Sequence, residues 1–256
     1  HLVVEAGTGT GKSLAYLVPA VCWGAAQKEK VVIATHTINL QEQLWDKDIP
    51  MLRRFLPVEF EAALVKGRSN YLCLRKWQGL WSDLENFSGE EKSELVPVLT
   101  WLSRTTTGDR SELSLGYKAQ ELWYRFAADS DSCLGTRCKF FNNGCFVMRA
   151  RRKAESADVL IVNHSLLLSD IKTENKVLPA YNYLIVDEAH HLEASATDHL
   201  GSDIGASQLE HLCRLLQRGG SPPGLLGQVK FRLPSLIGKL GEDNWERLEP
   251  VSYTHL

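Results

Sequence analysis

A glycine-rich segment near the start of the chain, residues 5–13, most constrains what the chain can fold into. It reads Glu-Ala-Gly-Thr-Gly-Thr-Gly-Lys-Ser and lies between an apolar run, residues 2–4, and a stretch with apolar residues at helical spacing, residues 14–18. Glycines let the backbone turn its N–H groups around an anion, and the following helix points the positive end of its dipole at the same place. The pattern predicts a strand, a phosphate-binding loop and a helix. A glycine-rich turn that binds nothing can have the same sequence pattern and is the alternative.

The lysine and serine that end this segment are the residues that a phosphate-binding loop uses for chemistry. Lys12 is predicted to reach the β- and γ-phosphates of ATP, and the hydroxyl of Ser13 is predicted to ligate Mg²⁺. Ala6 stands where the loop pattern has its first glycine. The other predicted nucleotide contacts come from the loop itself and are Ala6, Gly7, Thr8, Gly9, Thr10 and Gly11.

A second segment, residues 183–188, supplies the carboxylates that such a site needs. It is an apolar run that ends in two adjacent acids. Asp187 is predicted to hold Mg²⁺ through water, and Glu188 is predicted to orient and deprotonate the attacking water, so that both join Lys12 as catalytic residues. The Asp-Glu-Ala-His sequence also suits a plain helix N-terminus, where acids are favoured. A phosphate-binding loop in the same chain favours the ATP and Mg²⁺ site.

Apolar β-branched runs alternate with helical patterns along the chain, which predicts an α/β fold with a parallel sheet covered by helices on both faces. Two predicted strands end in polar residues, Thr35 and Thr37 after one and Asn163 and His164 after the other. Hydroxyls and helix N-termini at the carboxyl ends of strands can bind a phosphate backbone, so Thr35 and Thr37 are candidates for such a contact. Capping of the following helix is the simpler role for the threonines, and both roles can hold.

Residues 74–132 differ in composition from the alternating strand and helix patterns around them, because they contain tryptophans at helical spacing among charged residues. They predict a small helical insertion with most of its tryptophans in a core. Four cysteines flank it, namely Cys73, Cys133, Cys138 and Cys145. Thiolates at short spacings suit a metal centre, and the lack of a Cys-x-x-Cys pair or a nearby histidine favours [4Fe–4S] over Zn²⁺. Four unrelated thiols are the alternative. Cys22 and Cys213 lie in helical patterns and are predicted to be ordinary core thiols.

Composition excludes some classes of protein. The 256 residues have a formal net charge of −2, so any nucleic-acid surface must be local, and the basic segment 149–153 is either such a surface or a solvated helix face. No stretch resembles a membrane span or a signal peptide. Six cysteines without an export signal favour a reducing compartment, so a cytoplasmic monomer with no membrane partner is expected. The abrupt start at residue 1 suggests a piece of a longer protein.

Five segments together resemble the DinG branch of the XPD-like superfamily 2 DNA helicases. They read EAGTGTGKS, ATHTINLQEQL, KGRSNYLC, DVLIVNHSLLL and LIVDEAHHLE, in that family's order, and the resemblance covers roughly residues 2–200. It implies a RecA-like P-loop motor that uses ATP to translocate 5′-to-3′ on single-stranded DNA and acts at duplex junctions, in DNA repair or replication-conflict resolution. It also implies a [4Fe–4S] cluster held by the four flanking cysteines, and contacts of Thr35, Thr37, Asn163 and His164 with the backbone of one DNA strand.

The resemblance implies a division of the chain as well. Residues 1–72 and 149–193 are expected to form the two halves of the first motor domain, residues 73–148 the iron–sulfur insertion, and residues 194–256 part of a helical arch domain. The second motor domain, which brings an arginine finger, is expected to be absent, so the chain alone should hydrolyse ATP poorly. An RNA helicase and a non-motor, nucleotide-gated metal-cluster sensor are the alternatives.

Overall fold

The structure is a computed structural model, and it describes residues 1–7, 9–82, 85, 87–200 and 227. Apart from residue 227, these residues belong to one unit, His1–Gly201. The strands are β1 (Val31–Thr35), β2 (Ala62–Leu64), β3 (Val159–Asn163) and β4 (Tyr183–Val186). The α-helices are α1 (Lys12–Gln27), α2 (Ile38–Gln43), α3 (Ile49–Phe55), α4 (Leu74–Ser82), α5 (Gly89–Leu102), α6 (Tyr117–Phe126), α7 (Phe146–Ser156), α8 (His164–Lys172) and α9 (Leu192–Leu200). No helix in these described ranges is long and apolar enough to cross a membrane.

The four strands form one parallel sheet in the order β2-β3-β1-β4. At its centre Ile33 is paired with Ile161 on one side and with Ile185 on the other. All five residues of β1 are buried, which a parallel strand covered on both faces requires. The predicted α/β fold with a parallel sheet is therefore confirmed.

Alternate residues of the central strands face two different hydrophobic cores. Val31 and Ile33 point to the core that includes α1 and α3, with Leu17, Val21, Ile49 and Leu52 packed there. Val32 and Ala34 point to the opposite core, which α7 and α8 cover with Ala154, Leu166 and Leu167. Because the side-chain period of a strand is two residues, one short strand supplies both cores.

The apolar run at residues 2–4 was predicted to be a strand, and this prediction is wrong for the structure. Residues 1–7 form no strand, and the side chains of Leu2, Val3 and Val4 are 75–94% exposed. β4 forms one edge of the sheet, and its Tyr183 and Leu184 are exposed. A strand forms only where a neighbour pairs with its backbone, and an apolar pattern alone does not supply that neighbour.

The helices α4 to α6 and the start of α7 form an insertion between β2 and β3 with a core of its own. Trp77, Trp123 and Phe126 are buried at its centre, and the Phe126 ring meets each tryptophan at a centroid distance of 5.2 Å, close to edge-on. Trp101 is half-buried and Trp81 is exposed. The prediction that most of these tryptophans belong to a helical core is confirmed.

A buried charged cluster joins the insertion to the sheet. The Lys66 ammonium, whose side chain is 1% exposed, lies 2.6 Å from Glu42 Oε1 and 2.7 Å from Asp109 Oδ2. It also donates to Ser111 Oγ at 3.0 Å. Glu42 belongs to α2, whereas Asp109 and Ser111 belong to the insertion, so one lysine holds two parts of the fold together.

The predicted arch segment, residues 194–256, lies largely outside the described residues. Within it the structure describes the end of α9, up to Leu200, and residue 227. The prediction for Cys213 likewise falls outside them. Pro19 lies inside the continuous helix α1.

Candidate nucleotide site

The glycine-rich segment forms an open loop in front of α1. Gly9 and Gly11 have φ values of 76° and 82°, in the left-handed region that favours glycine. Thr10 Oγ1 donates to the carbonyl of Gly7 at 2.9 Å, which closes the loop on itself. Helix α1 begins at Lys12 with no side-chain cap, so its first N–H groups are available to an anion. Of the predicted loop contacts, Thr8 lies outside the described residues and Ala6 is half-buried beside the loop.

The structure brings the loop lysine to the end of β4. Lys12 Nζ lies 3.1 Å from Glu188 Oε1, and both side chains are partly buried, at 32% and 26% exposed. The hydrogen bond from Lys12 lowers the pKa of Glu188 below its usual value. Glu188 itself has φ of 51°, an uncommon left-handed conformation for a residue with a side chain. A phosphate-binding lysine and a carboxylate are therefore placed at one site.

The carboxylate of Asp187 is held on both oxygens. Oδ2 accepts a hydrogen bond from the Tyr16 hydroxyl at 3.1 Å, and Oδ1 accepts from the backbone N–H of Glu188 at 3.0 Å. Burial, followed by the Asp187 charge and hydrogen bond, raises the pKa of Tyr16 far above its ordinary value, while a hydrogen bond with Ser13 opposes the rise. The Tyr16 hydroxyl therefore contacts one of the two predicted Mg²⁺ ligands directly.

Sequence reasoning missed Tyr16. The available signal was its position four residues after Lys12, which places the two side chains on the same face of α1.

The donor atoms at this place suit magnesium. Ser13 and Asp187 offer hard oxygen ligands, and Mg²⁺ is usually held by one or two protein oxygens together with water and phosphate oxygens. Within the described ranges no three side chains of His, Cys, Asp or Glu are grouped to hold a metal ion on their own. A site completed by nucleotide phosphates fits this arrangement better than a preformed metal cage.

The four candidate DNA contacts differ in accessibility. Thr37 is exposed and caps α2 by accepting from the N–H of Leu40 at 3.2 Å. Asn163 is half-buried and caps α8 by accepting from the N–H of Leu166 at 3.0 Å. Thr35 and His164 are 0% exposed, and His164 Nε2 lies 2.9 Å from the Asp187 carbonyl. Burial keeps the side chains of Thr35 and His164 from solvent, and direct contact of either residue with DNA stays a prediction.

Histidine rings connect the ends of three strands. The His36 ring, after β1, stacks on His191, after β4, with centroids 4.0 Å apart and an interplanar angle of 18°. It also lies 5.8 Å from His164, which follows β3. His190 reaches Glu188 Oε2 with its Nδ1 at 3.5 Å. These histidine rings therefore link the carboxylates at the end of β4 to the ends of β1 and β3, where Thr37 and Asn163 lie.

The cysteines predicted to hold a cluster are free thiols. Cys133 is exposed, and Cys73, Cys138 and Cys145 are half-buried. Arg68 Nη1 lies 3.6 Å from Cys133 Sγ. Burial, and then the charge of Arg68, lowers the pKa of Arg151, and Cys133 and Cys145 act in the opposite direction. The chemistry of these donors suits a cluster, but among the described residues they are not grouped as a ligand set.

The basic segment 149–153 lies in α7 and has structural contacts. Arg149 donates to the carbonyl of Thr106, and Arg152 donates to the carbonyls of Asn142 and Phe141 at 2.9 and 3.2 Å. Two of its arginines therefore tie α7 to loops of the insertion.

Comparison with known proteins gives relatives over most of the chain. A Bacillus subtilis protein named 3′-5′ exonuclease DinG is 40% identical over 201 residues, which cover 78% of this chain and 21% of that protein. ATP-dependent helicase DinG of Mycobacterium tuberculosis is 40% identical over 236 residues, or 85% of this chain and 35% of the relative. ATP-dependent DNA helicase YoaA of Escherichia coli is 36% identical over 217 residues, or 83% of this chain and 33% of the relative.

The chain therefore spans about a third or less of the length of these three relatives. No protein-family profile matches the chain. The identity to these relatives agrees with the resemblance of the motifs around Lys12 and Glu188, and on both grounds the chain corresponds to a part of the DinG-like helicases.

Proposed function

We propose that the chain carries the ATP site of a DNA helicase motor that translocates 5′-to-3′ on single-stranded DNA. The observation that carries the proposal is the contact between Lys12 of the glycine-rich loop and Glu188 at the end of β4, at 3.1 Å. Relatives that are 36–40% identical to the chain are named ATP-dependent helicases. A loop lysine beside a strand-end carboxylate is the arrangement that NTP hydrolysis needs.

Each residue of the site then has a defined task. Lys12 leaves Glu188 to bind the β- and γ-phosphates, while N–H groups of the glycine-rich loop and of the start of α1 surround the same anion. Ser13, and Asp187 through water, would hold Mg²⁺, which would neutralise charge on the phosphates when bound with the nucleotide. Glu188, once released by Lys12, orients a water and accepts its proton.

The DNA backbone is proposed to lie across the carboxyl ends of β1 and β3. These strands are neighbours, and Thr35 is paired with Asn163 in the sheet. The exposed Thr37 and the half-buried Asn163 therefore lie at adjacent helix N-termini, where phosphate groups bind well. Thr35 and His164 lie buried beneath this surface. The stack of His36 on His191 links the surface to the carboxylates at the end of β4. The insertion and the segment 149–153 are proposed to meet the duplex junction.

A [4Fe–4S] cluster on Cys73, Cys133, Cys138 and Cys145 belongs to the proposal. The positive charges of Arg68 and Arg151 near Cys133 support it, because they offset the negative charge of a cluster with thiolate ligands. Iron, acid-labile sulfide and zinc are measured on anaerobically purified protein and on single Cys→Ser variants, with Cys22→Ser as the matched control. Equal iron and sulfide, lost with each of the four changes and kept in Cys22→Ser, is the expected result. Zinc, or no metal, would exclude the cluster.

The chain is proposed to act as part of a longer motor. Residues 1–72 and 149–193 form the first motor domain, residues 73–148 the cluster insertion, and residues 194–256 the start of an arch. A second motor domain would close over the ATP and supply an arginine finger, so the 256-residue chain alone binds nucleotide weakly and hydrolyses it poorly. The proposed setting is DNA repair or the resolution of replication conflicts.

The motor is tested by nucleotide and nucleic-acid binding. Titration with ATP and Mg²⁺ should give saturable binding that Lys12→Ala abolishes and that Lys92→Ala, a change of an exposed lysine in α5, leaves intact. Single-stranded DNA should bind more tightly than RNA of the same sequence. Tighter RNA binding would favour an RNA helicase, and DNA unwinding that survives Lys12→Ala in the longer protein would exclude the motor in favour of a sensor.

A further inference from the structure

The hydroxyl of Tyr16 contacts one of the two residues that the proposed function assigns to Mg²⁺. It donates to Asp187 Oδ2 at 3.1 Å. We propose that Tyr16 is the positioning residue of the magnesium site, whose hydroxyl fixes the orientation of the Asp187 carboxylate. This inference rests on the proposed function, because it assumes that Asp187 and Ser13 serve a nucleotide-bound ion.

The hydrogen-bond pattern of Asp187 shows why an orienting group matters. A carboxylate is free to rotate about its terminal bond unless both of its oxygens are held. Oδ1 accepts the N–H of Glu188 at 3.0 Å, and the Tyr16 hydroxyl holds Oδ2. Without the hydroxyl, one oxygen loses its partner and the carboxylate samples orientations that do not face the ion.

The chemistry of the hydroxyl makes it a dedicated donor. A tyrosine phenol has an ordinary pKa of about 10, so it carries its proton at neutral pH and is able to donate. A protonated phenol beside an ionised carboxylate donates to it, and the charge on the acceptor strengthens the hydrogen bond.

The position of Tyr16 on α1 keeps this contact independent of the phosphate contact. Lys12 and Tyr16 lie one helical turn apart on the same face, and they hold Glu188 and Asp187 respectively. Lys12 must exchange Glu188 for phosphate when nucleotide binds. Tyr16 does not exchange its partner, Asp187, for phosphate. Tyr16 therefore acts on the ion and not on the nucleotide directly.

The test uses the full 256-residue chain and N-methylanthraniloyl-ADP as the fluorescent probe. For Tyr16→Phe, the free Mg²⁺ concentration that half-saturates the Mg²⁺-dependent part of probe binding should rise on the order of tenfold. Probe affinity in EDTA should not change, because the loop and Lys12 are intact. Tyr124→Phe, which removes the hydroxyl of an exposed tyrosine in α6, should behave as the unchanged chain.

A double-mutant cycle with Asp187→Asn tests whether Tyr16 works through that carboxylate. If it does, adding Tyr16→Phe to Asp187→Asn should raise the Mg²⁺ requirement by less than about twofold, because interacting residues are not additive. A full and independent effect of Tyr16→Phe in that background would overturn the inference.

Other results separate the inference from the proposed function. If Tyr16→Phe lowers probe affinity equally with and without Mg²⁺, Tyr16 has a structural role only and the inference is overturned. An unchanged Mg²⁺ requirement in Tyr16→Phe would also overturn the inference. Tyr16→Met, which removes the whole ring, should reproduce the Mg²⁺ effect of Tyr16→Phe if the hydroxyl is what matters. A chain that binds no nucleotide in its unchanged form would overturn the proposed function together with this inference, whereas the first two results leave the proposed function intact.

Discussion

The ammonium of Lys12 lies 3.1 Å from Oε1 of Glu188, although 176 positions separate the two residues in the sequence. The lysine that should bind phosphate is therefore already paired with a carboxylate. Binding of nucleotide exchanges one anion for another at Lys12, and it frees Glu188 to act on water. The ion pair both assembles the site and competes with its ligand.

This competition predicts the behaviour of Glu188→Gln. The change removes the charge that holds Lys12, and partly exposed ion pairs are worth up to about 1 kcal/mol, so ATP affinity should improve by up to about fivefold. Hydrolysis should fall on the order of a hundredfold or more, because the general base is lost. Equilibrium titration of the chain with labelled nucleotide and a phosphate-release assay on the longer protein measure the two effects. Weaker ATP binding in Glu188→Gln would contradict the competition.

The buried Lys66 cluster predicts a large loss of stability on Lys66→Met. The change leaves the carboxylates of Glu42 and Asp109 beside each other without their cation, and breaking a buried ion pair in this way costs about 3–5 kcal/mol. Urea unfolding of the chain measures the loss. The triple variant with Glu42→Gln and Asp109→Asn added should recover much of it, because the unpaired charges are gone. A loss of under about 1 kcal/mol for Lys66→Met alone would contradict the buried pairing.

Glu42 gives this cluster a dependence on pH with a defined sign. Burial alone would raise its pKa, but hydrogen bonds from Lys66 and Ser111 bring the pKa below its ordinary value. A depressed folded-state pKa stabilises the protein above the unfolded pKa of about 4.3, and this stabilisation is lost as pH falls through the lower folded value. Glu42→Gln should therefore flatten the acid limb of the unfolding free energy between about pH 5 and pH 3. Glu59→Gln, a change of an exposed residue, should leave that limb as it is.

Sequence patterns predicted the parts of this fold that depend on local chemistry. The β-branched runs at β1 and β3 became buried parallel strands, and Thr37 and Asn163 cap the helices that follow them. Tyr16 was not predicted, because its partner Asp187 is 171 positions away and only the folded sheet brings the two together. The burial of Thr35 and His164 was missed for the same reason, because it depends on which parts of the folded chain pack over these polar residues.

A close contact inside the insertion predicts the effect of Gly108→Ala. Gly108 has φ of 67°, and a Cβ placed there would lie 2.2 Å from the Phe146 ring, so both the backbone and the ring would have to move. Strain in the left-handed region together with overpacking should cost about 2–4 kcal/mol. Gly79→Ala is the matched control, because it lies within α4 with nothing within 4 Å of its Cβ, and it should stabilise the helix by about 0.5–1 kcal/mol. Unfolding followed by tryptophan fluorescence reports on both variants, since Trp77 and Trp123 lie in this core. Equal stability of the two variants would show that Phe146 does not pack on Gly108 in solution.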